Sequence, residues 1–241
     1  MNGTTSAAPS GNGSDPLAAF AELAQIVVGA DPPEQTLRRI AELAKQTMAG
    51  VEDVSLTVIE NGRPRSVVFT GRLAVDLDER QYEAGFGPCL DAAKTGQTIV
   101  VDSQVADTPY RDFARVAERA GVRHIISVGM PLAQRTIGGM NIYSLEDEPL
   151  SPAVLEHAEV FAGHAAFAVA NVMSHANAVH EATHLRRAME SRAVIEQAKG
   201  MIMARDRCTA EEAFDILNRI SQQQNVKLRD LAQHIIESAQ K

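Results

Sequence analysis

Apolar residues in positions 191–241 recur at steps of three and four, the spacing that places side chains on one face of a helix. The pattern breaks near 206–207 and again over a polar stretch at 221–225, so the segment predicts three short helices. Thr209 starts the second one, because Glu212 three residues later completes a capping box. The residues expected to form one shared core are Val194, Ile195, Ala198, Met201, Ile202, Ala213, Phe214, Leu217, Ile220, Leu228, Leu231, Ala232, Ile235 and Ile236.

A long helical segment precedes this unit and runs from position 151 past 186 without a clear stop. In its second half, apolar residues follow one another at steps of 4, 3, 3, 3 and 4, close to the heptad spacing of coiled coils. This spacing predicts a connecting helix over residues 174–190 that pairs with its copy in a homodimer. For residues 151–170, a helix folded back on its own domain is nearly as well supported. The predicted seam consists of Val172, Ala176, Val179, Ala182, Leu185 and Met189.

The part of the chain before position 151 includes segments with a period of two, which is typical of strands with one buried face. Val54, Leu56 and Val58 alternate with polar residues, and Asn61-Gly62 supplies the turn of a hairpin. Further strands are predicted at 98–102, 124–132 and 137–143, and helices at 17–28, 33–48, 78–83, 89–94 and 110–120. Together these elements predict an α+β fold, in which an antiparallel sheet of about five strands is flanked by helices.

Composition adds constraints on location. Residues 1–16 are rich in Gly, Ser and Ala and lack a basic region followed by an apolar run, so they are predicted to be a disordered tail and not a secretory signal. No apolar run reaches the roughly 20 residues of a membrane span. Cys89 and Cys208 are the only cysteines, which favours a reducing compartment and predicts a cytoplasmic protein.

Charge is distributed unevenly along a chain whose formal net charge is −8. From Arg186 onward there are 10 Lys and Arg against 8 Asp and Glu, whereas the first 185 residues carry 13 against 23. The difference favours a nucleic-acid contact made by the C-terminal part alone. Because the excess is small, binding would depend on a few placed cations, and ordinary charge scatter also accounts for the numbers.

Two groups of motifs lead to known families. With Ile195-x-x-Ala198-Lys199-Gly200, Glu212-Ala213-Phe214, Leu217, Ser221 and the run from Lys227 to Ala232, residues 191–241 resemble an ANTAR domain, the three-helix RNA-binding module of bacterial transcription antitermination regulators. With Gly87-Pro88-Cys89-Leu90-Asp91-Ala92, Gly96, Val100, Asp102, Gly121-Val122-Arg123, Met130-Pro131-Leu132 and the run from Gly138 to Tyr143, residues 17–173 resemble a GAF domain, a small-molecule sensory fold.

The two resemblances together imply a homodimeric, cytoplasmic regulator of the actinobacterial type. Its GAF-like domain would control, through the connector, two ANTAR-like domains that bind RNA hairpin loops in nascent transcripts. The implied output is the stabilisation of an RNA hairpin that prevents a terminator from forming. Besides RNA and a second copy of the chain, an unidentified small-molecule effector is the partner that a GAF domain allows. The resemblance implies no enzyme activity, no cofactor and no membrane contact.

The ANTAR resemblance places RNA contacts on two parts of the three-helix unit. Arg192 and Lys199 would reach phosphates or base edges from the first helix, and Gly200 would let the RNA backbone approach. Further contacts from the loop and the start of the third helix would involve Ser221, Gln222, Asn225, Lys227 and Arg229. For each residue alone, a solvated surface position is equally well supported. With Phe214 assigned to the core, RNA would be read by hydrogen bonds and charge, without base stacking.

Cys89 is the one candidate for ligand or redox chemistry. It follows Gly-Pro at the start of a predicted helix, where the helix N-terminus could lower the pKa of a thiol. A buried, inert thiol is the favoured interpretation, because Leu90 beside it belongs to the predicted core. A GAF-type methionine sulfoxide reductase would require several cysteines in this fold, and the domain has one.

A metal site and two rival functions are the remaining candidates. His180 and His184 have the i, i+4 spacing of metal ligands but lack a third ligand nearby, so a surface pair is expected and no metal site is predicted. One alternative is a small-molecule or redox-sensing GAF protein that acts as a signalling adaptor. Another is a DNA-binding regulator, although the predicted break before the third helix is longer than the usual turn of a helix-turn-helix.

Overall fold

The chain forms two units that meet within one long helix. A computed structural model describes residues 16–60, 63–133 and 135–239, so most of the predicted tail (residues 1–16) and the predicted Asn61-Gly62 turn lie outside the described residues. The first unit ends at Ala176 and the second begins at Asn177. In the described part of the chain, none of the helices combines the length and the apolar character needed to cross a membrane.

The first unit is built on an antiparallel sheet of five strands in the order β2-β1-β5-β4-β3. The strands are β1 (Asp53–Glu60), β2 (Arg63–Phe69), β3 (Thr98–Asp102), β4 (His124–Leu132) and β5 (Arg135–Ser144). Because successive side chains of a strand point to opposite faces, a single strand can contribute to two cores. On β4, for example, Ile126 and Val128 belong to one core and Ile125 to the other. The sheet confirms the α+β fold predicted from the alternating pattern.

The larger core lies between one face of the sheet and the helices α1 (Pro16–Ala24), α2 (Pro33–Thr47) and the first part of α6 (Pro152–Asp206). Helix α1 was predicted to reach position 28 but ends at Ala24. The Gln25 N–H donates to the Glu22 carbonyl and the Ile26 N–H to the Leu23 carbonyl, so three-residue turns replace the helical pattern. The apolar residues Ile26 and Val28, which suggested a longer helix, instead pack on the core from an irregular segment.

The opposite face of the sheet is covered by α3 (Arg72–Ala84), α4 (Pro88–Thr95) and α5 (Arg111–Arg119). The smaller core on this side includes Leu77, Phe113, Ile125 and Tyr143. Helix α3 starts six residues before the predicted position 78. The carboxylate of Asp53 on β1 accepts a hydrogen bond of 3.2 Å from the Ala74 N–H in the first turn of this helix. Because the capping residue belongs to a distant strand, the start of α3 cannot be predicted from the local sequence.

The second unit contains the end of α6 together with α7 (Ala210–Gln224) and α8 (Leu228–Ala239). Its core consists of Ala198, Ile202, Ala213, Leu217, Leu231 and Ala232. The predicted capping box is present, because Thr209 Oγ1 accepts from the Glu212 N–H and a Glu212 carboxylate oxygen accepts from the Thr209 N–H. The three predicted helices are confirmed, but the first of them is the end of the connecting helix and has no start of its own.

Three details of the predicted helical part are wrong. Helix α7 continues to Gln224, so the break before α8 is the three residues 225–227 and not a loop that starts at 221. Phe214 is 39% exposed and lies at the edge of the core stripe. Val172, the first member of the predicted pairing seam, is buried in the core of the first unit, whereas Val179, Leu185 and Met189 are exposed in the single chain. The long, exposed helix remains suited to a coiled coil.

Candidate functional site

Two of the predicted RNA-contacting cations lie on one face of α6. Arg192 and Lys199 are seven residues apart, which is close to two helical turns. Glu196 lies between them, and Lys199 Nζ donates to both of its carboxylate oxygens, at 2.9 and 2.8 Å. The hydrogen bond from Lys199, together with the charges of Lys199 and Arg192, lowers the pKa of the Glu196 carboxyl below its ordinary value. Glu196 therefore orients the Lys199 side chain and partly balances its positive charge before any partner binds.

Gly200 follows Lys199 in the middle of the helical segment and is exposed. A Cβ atom at this position would meet no atom within 4 Å. Glycine inside a helix costs about 1 kcal/mol relative to alanine, and nothing within the described residues requires it here. The open backbone therefore favours close approach by another molecule. We refer to Arg192, Lys199 and Gly200 as the α6 group.

The remaining predicted contacts surround the turn between α7 and α8. Ser221 and Gln222 belong to the last turn of α7 and not to a loop, Asn225 and Lys227 lie in the turn, and Arg229 lies in the first turn of α8. Gln222, Asn225, Lys227 and Arg229 are exposed, and Ser221 is half-buried. We refer to these five residues as the turn group.

Two members of the turn group close the turn itself. Ser221 Oγ donates a hydrogen bond of 2.7 Å to the Val226 carbonyl, and the Val226 N–H donates to the Ser221 carbonyl. Asn225 has a φ of 53°, a left-handed conformation that asparagine tolerates better than most residues. The turn alone thus accounts for a serine and an asparagine at these two positions.

The α6 group and the turn group lie on different sides of α6. Arg229 Nη2 is 4.0 Å from a carboxylate oxygen of Glu190, which places the start of α8 beside Glu190. Glu190 and Lys199 are nine residues apart on the same helix, which is half a turn around its axis. The structure therefore brings the predicted contacts together as two groups and not on one surface.

Phe214, which its spacing predicts to be buried, lies partly exposed on α7. It is the only aromatic residue of the chain after Phe167, and 39% of it is exposed. Its place one position after the buried Ala213 puts it about 100° around α7 from that residue, at the margin of the buried stripe. That angular position was readable from the sequence and would have marked Phe214 as a surface aromatic able to stack on a base.

Cys89 lies in a buried polar cluster between the sheet and helices α3 and α4. Its thiol donates to Thr57 Oγ1 at 3.2 Å, and Asn141 Nδ2 lies 3.0 Å from the sulfur. Asn141 also donates to Asp78 Oδ1 at 3.1 Å, and the Tyr143 hydroxyl donates to the same oxygen at 2.5 Å. Each of these five residues is fully buried. The cluster joins strands β1 and β5 to helices α3 and α4.

The surroundings of Cys89 suppress its reactivity. Burial and, next to it, the charge of Asp78 raise the pKa of the thiol to about 12, and hydrogen bonds to Thr57 and Asn141 oppose the shift only in part. The helix N-terminus, which suggested a lowered pKa, does not dominate. Cys89 is therefore protonated at neutral pH, as expected of a buried, inert thiol.

Three polar atoms of this region remain without a hydrogen-bond partner in the described structure: Gln81 Nε2, Ser127 Oγ and Asn141 Oδ1. Ser127 and Asn141 are paired across β4 and β5, and Gln81 lies on α3, where its Oε1 accepts from the Cys89 N–H at 2.8 Å. Buried polar atoms of this kind are normally satisfied by protein, water or ligand. Their donors and acceptors suit a water molecule or a small polar ligand.

His180 and His184 lie one helical turn apart on α6, as their spacing predicts. The rings of His180 and His184 are 4.4 Å apart. Within residues 16–60, 63–133 and 135–239, no group of three or more His, Cys, Asp or Glu side chains is arranged to hold a metal ion.

Comparison with known proteins gives two family matches. A model of the GAF domain matches residues 30–170, and a model of the ANTAR domain matches residues 183–236. Among solved structures, the chain is similar to the GAF domain of a phosphoenolpyruvate-protein phosphotransferase from Coxiella burnetii, with 18% identity, 69% of this chain and 96% of that chain covered, and a TM-score of 0.50.

The chain is also similar to fRMsr of Staphylococcus aureus in complex with substrate, with 15% identity, 68% of this chain and 99% of that chain covered, and a TM-score of 0.50. At such identities the similarity shows the fold alone. A comparison with curated proteins gives no match.

Proposed function

Since the chain belongs to the GAF domain family and carries an ANTAR domain in its C-terminal unit, we propose that it is a transcription antitermination regulator that binds RNA hairpins. In this proposal the GAF unit is the sensory and dimerisation part, and the ANTAR unit is the output. The family membership supports regulation by a sensory domain in general. The hairpin target and the antitermination step are the proposal.

The observation that carries the RNA proposal is the open backbone at Gly200. The stretch of α6 from 192 to 205 is otherwise built mainly from good helix formers, and it has a glycine on an exposed position next to a lysine held in place by Glu196. The phosphates of a ligand would replace the Glu196 carboxylate as the partner of Lys199. The same ligand would pack directly on the helix backbone at Gly200. RNA combines both features, a close-packing surface and a row of phosphates.

Hairpin binding by two ANTAR units would act on transcription through RNA stability. If two copies of the chain hold neighbouring loops at once, the second contact forms at a high effective concentration. A hairpin held in this way competes with a terminator that shares its sequence. The pairing of two connectors over residues 174–190, where Val179, Leu185 and Met189 are exposed, would set the spacing of the two units.

We assign no chemical step to the GAF unit. Cys89, the single candidate nucleophile of that unit, is protonated and sealed from solvent. The unpartnered atoms of Gln81, Ser127 and Asn141 make the buried polar cluster the preferred place for a small-molecule effector. Such an effector would act by changing how α3 and α4 pack on the sheet.

The test is a binding titration of the full chain with three labelled probes: a tandem-hairpin RNA, the same RNA with altered loops, and duplex DNA. Gly200→Ala is expected to raise the free energy of unfolding by about 1 kcal/mol. The same change is expected to weaken tandem-hairpin binding by at least about tenfold, because the new methyl group occupies the approach path. Loss of binding by a more stable protein cannot be attributed to unfolding.

A matched pair of charge variants completes the test. Lys199→Ala should weaken binding and reduce the salt dependence by about one phosphate contact. Arg219→Ala removes an exposed cation from α7, outside both groups, and should leave binding nearly unchanged. Equal affinity of wild type, Gly200→Ala and Lys199→Ala for all three probes would contradict the proposal.

DNA binding is the second candidate function, and one feature of the structure favours it. The turn between α7 and α8 contains the three residues 225–227, and this is the length typical of a helix-turn-helix. The objection that the turn is too long therefore no longer holds. Preference for the duplex DNA probe over both RNA probes would select this function.

A further inference from the structure

One aromatic ring of the ANTAR unit remains partly open to solvent. Phe214 is 39% exposed, although Ala213 and Leu217 beside it on α7 are buried. Ile216 and Ile220 of the same helix pack against the core of the unit, and among the described residues Phe214 is not part of that packing. A single exposed apolar residue is common on protein surfaces, so the role of this ring is decided by the side chains around it.

A line of uncharged side chains runs along α7 from Phe214 to the turn group. Asn218 and Ser221 follow Phe214 at steps of four and three, so all three lie on one side of the helix, over a length of about 10 Å. Asn218 and Ser221 are half-buried. The far end of the line is marked by Val226, which is 40% exposed and whose N–H donates to the Ser221 carbonyl. The ring and the turn group therefore belong to one surface of the unit.

The side chains of this surface suit an unpaired base better than a phosphate at the ring. Every base has a flat π-face that stacks on an aromatic ring, and an amide both donates to and accepts from the edge of a base. The first turn of α7, next to Phe214, is acidic and repels phosphates. The cations Lys227 and Arg229 lie at the other end of the surface, in the turn group. A strand laid along α7 thus has a base at Phe214 and its phosphates near the turn.

We propose that Phe214 is a specificity-determining residue for RNA: its ring stacks on one unpaired base of a hairpin loop, and the Asn218 amide bonds the edge of the neighbouring base. The inference rests on the proposed RNA function and deepens it, because it names the chemical group that is recognised and the side chain that recognises it. The α6 group lies on a different side of α6 from the turn group, at which this surface ends. The two surfaces therefore differ in role: the α6 group holds phosphates, and the surface at Phe214 distinguishes an unpaired base from a paired one.

A double-mutant cycle between Phe214 and the bases of the loop tests the stacking. The full chain is titrated with the tandem-hairpin RNA and with copies in which one loop nucleotide at a time is abasic. At the stacked position, loss of the base should weaken binding by the wild type at least about fivefold. Phe214→Leu keeps an apolar side chain but lacks the ring, so it should bind the intact RNA about as weakly as the wild type binds that abasic RNA. Removing the same base should then change the affinity of Phe214→Leu by less than about twofold.

Two further variants serve as controls. Phe214→Tyr keeps the ring and should reproduce the wild-type pattern at every loop position. Ile216→Leu alters an apolar residue on another side of α7 and should retain the dependence on the stacked base. Because position 214 is partly exposed, Phe214→Leu should unfold at nearly the wild-type temperature, as measured by circular dichroism.

The outcomes separate this inference from the RNA function. If no single abasic substitution weakens wild-type binding by about fivefold, or if Phe214→Leu is as sensitive as the wild type at every position, stacking by Phe214 is overturned. Weaker binding by Lys199→Ala in the same titrations would then leave the RNA function standing. If the wild type binds the intact RNA no better than duplex DNA, both the RNA function and the stacking proposal fail.

Discussion

The two units differ in where their polar side chains lie. In the GAF unit, Asp78 and Asn141 are fully buried and share hydrogen bonds with Tyr143, Thr57 and the Cys89 thiol. In the ANTAR unit, the buried residues are apolar, and the charged side chains are exposed or only partly covered. The buried polar residues of the described chain all lie between positions 36 and 144.

The contrast suggests different roles for polar side chains: buried ones hold the fold together, and exposed ones are available to a partner. A buried hydrogen-bonded group is costly to disturb, because removing one partner leaves the other without solvent. In the Lys199–Glu196 pair the lysine is 17% exposed, but the carboxylate is 53% exposed and open to water. A pair with such an exposed partner holds little net energy, so an incoming phosphate could replace the carboxylate. Substitutions in the GAF unit should therefore act mainly on stability, and substitutions on the ANTAR surface mainly on binding.

The largest effect is expected where a glycine is enclosed. A Cβ atom at Gly138 would overlap the Thr57 carbonyl oxygen across the β1–β5 pair. Gly138→Ala should therefore destabilise the GAF unit by at least about 3 kcal/mol. Chemical denaturation followed by circular dichroism measures the change. Gly200→Ala makes the same chemical change in open space and is the control. Equal destabilisation by both substitutions would contradict the proposed difference between the two units.

A smaller loss is expected from the buried carboxylate. Asp78→Ala removes the acceptor of the Tyr143 hydroxyl and of Asn141, so two buried donors lose a partner. We expect a loss of about 3 kcal/mol in the free energy of unfolding. Asp76→Ala removes the same charge from an exposed position of the same helix and should change stability by less than about 0.5 kcal/mol. Comparable losses in both variants would show that net charge, and not the buried cluster, is responsible.

The Cys89 thiol predicts a pH dependence with a defined sign. Its pKa is raised from 9.0 to about 12 in the folded state, so the unfolded chain ionises first as pH rises. The stabilisation is complete below pH 9 and is lost progressively as pH rises from 9 towards 12. Between pH 7 and pH 10 the contribution should fall by about 1.4 kcal/mol.

Denaturation of wild type and Cys89→Ala at several pH values isolates this contribution as the difference between their slopes. Cys208→Ser, which removes the other cysteine of the chain and keeps Cys89, is the control. A Cys89→Ala slope that matches the wild-type slope would mean that the thiol ionises equally in both states.

The smallest effect is expected on the ANTAR surface and concerns binding. Glu196→Gln removes the carboxylate that, under the RNA proposal, would compete with RNA for Lys199, so affinity for the hairpin RNA should rise by about two- to fivefold at low salt. The gain should shrink as salt increases. Glu211→Gln, a change in the exposed first turn of α7, is the matched control. A weaker RNA complex in Glu196→Gln would mean that Glu196 positions Lys199 instead of competing for it.

Most elements were predictable because their cause is local. The hairpin of β1 and β2, the capping box at Thr209 and the stripe of Leu228 to Ile236 follow from spacing within a few residues. The errors fall where a distant contact decides. Helix α3 begins early because Asp53 caps it from another strand, and Val172 is buried because α6 packs on the sheet.

The candidate site was predictable in part. The sequence identified Lys199 and Gly200, and the structure adds that Lys199 is paired with Glu196 and that Gly200 faces open space. It did not reveal that Ser221 and Asn225 close a turn, because that bond requires the observed end of α7. Phe214 was assigned to the core because the buried face of α7 was taken to extend one residue further than it does.

By itself, the sequence determined the order of strands and helices and the three-helix unit, because periods of 2 and 3.6 residues encode which face of an element is buried. Only the tertiary structure decided which polar residues enter the core and which stay available to a partner. Asn141 and Asp78 are 63 positions apart and meet only when α3 covers the sheet. The period of a single element shows that a side chain faces inward, but the group that it meets there is set by the packing of other elements.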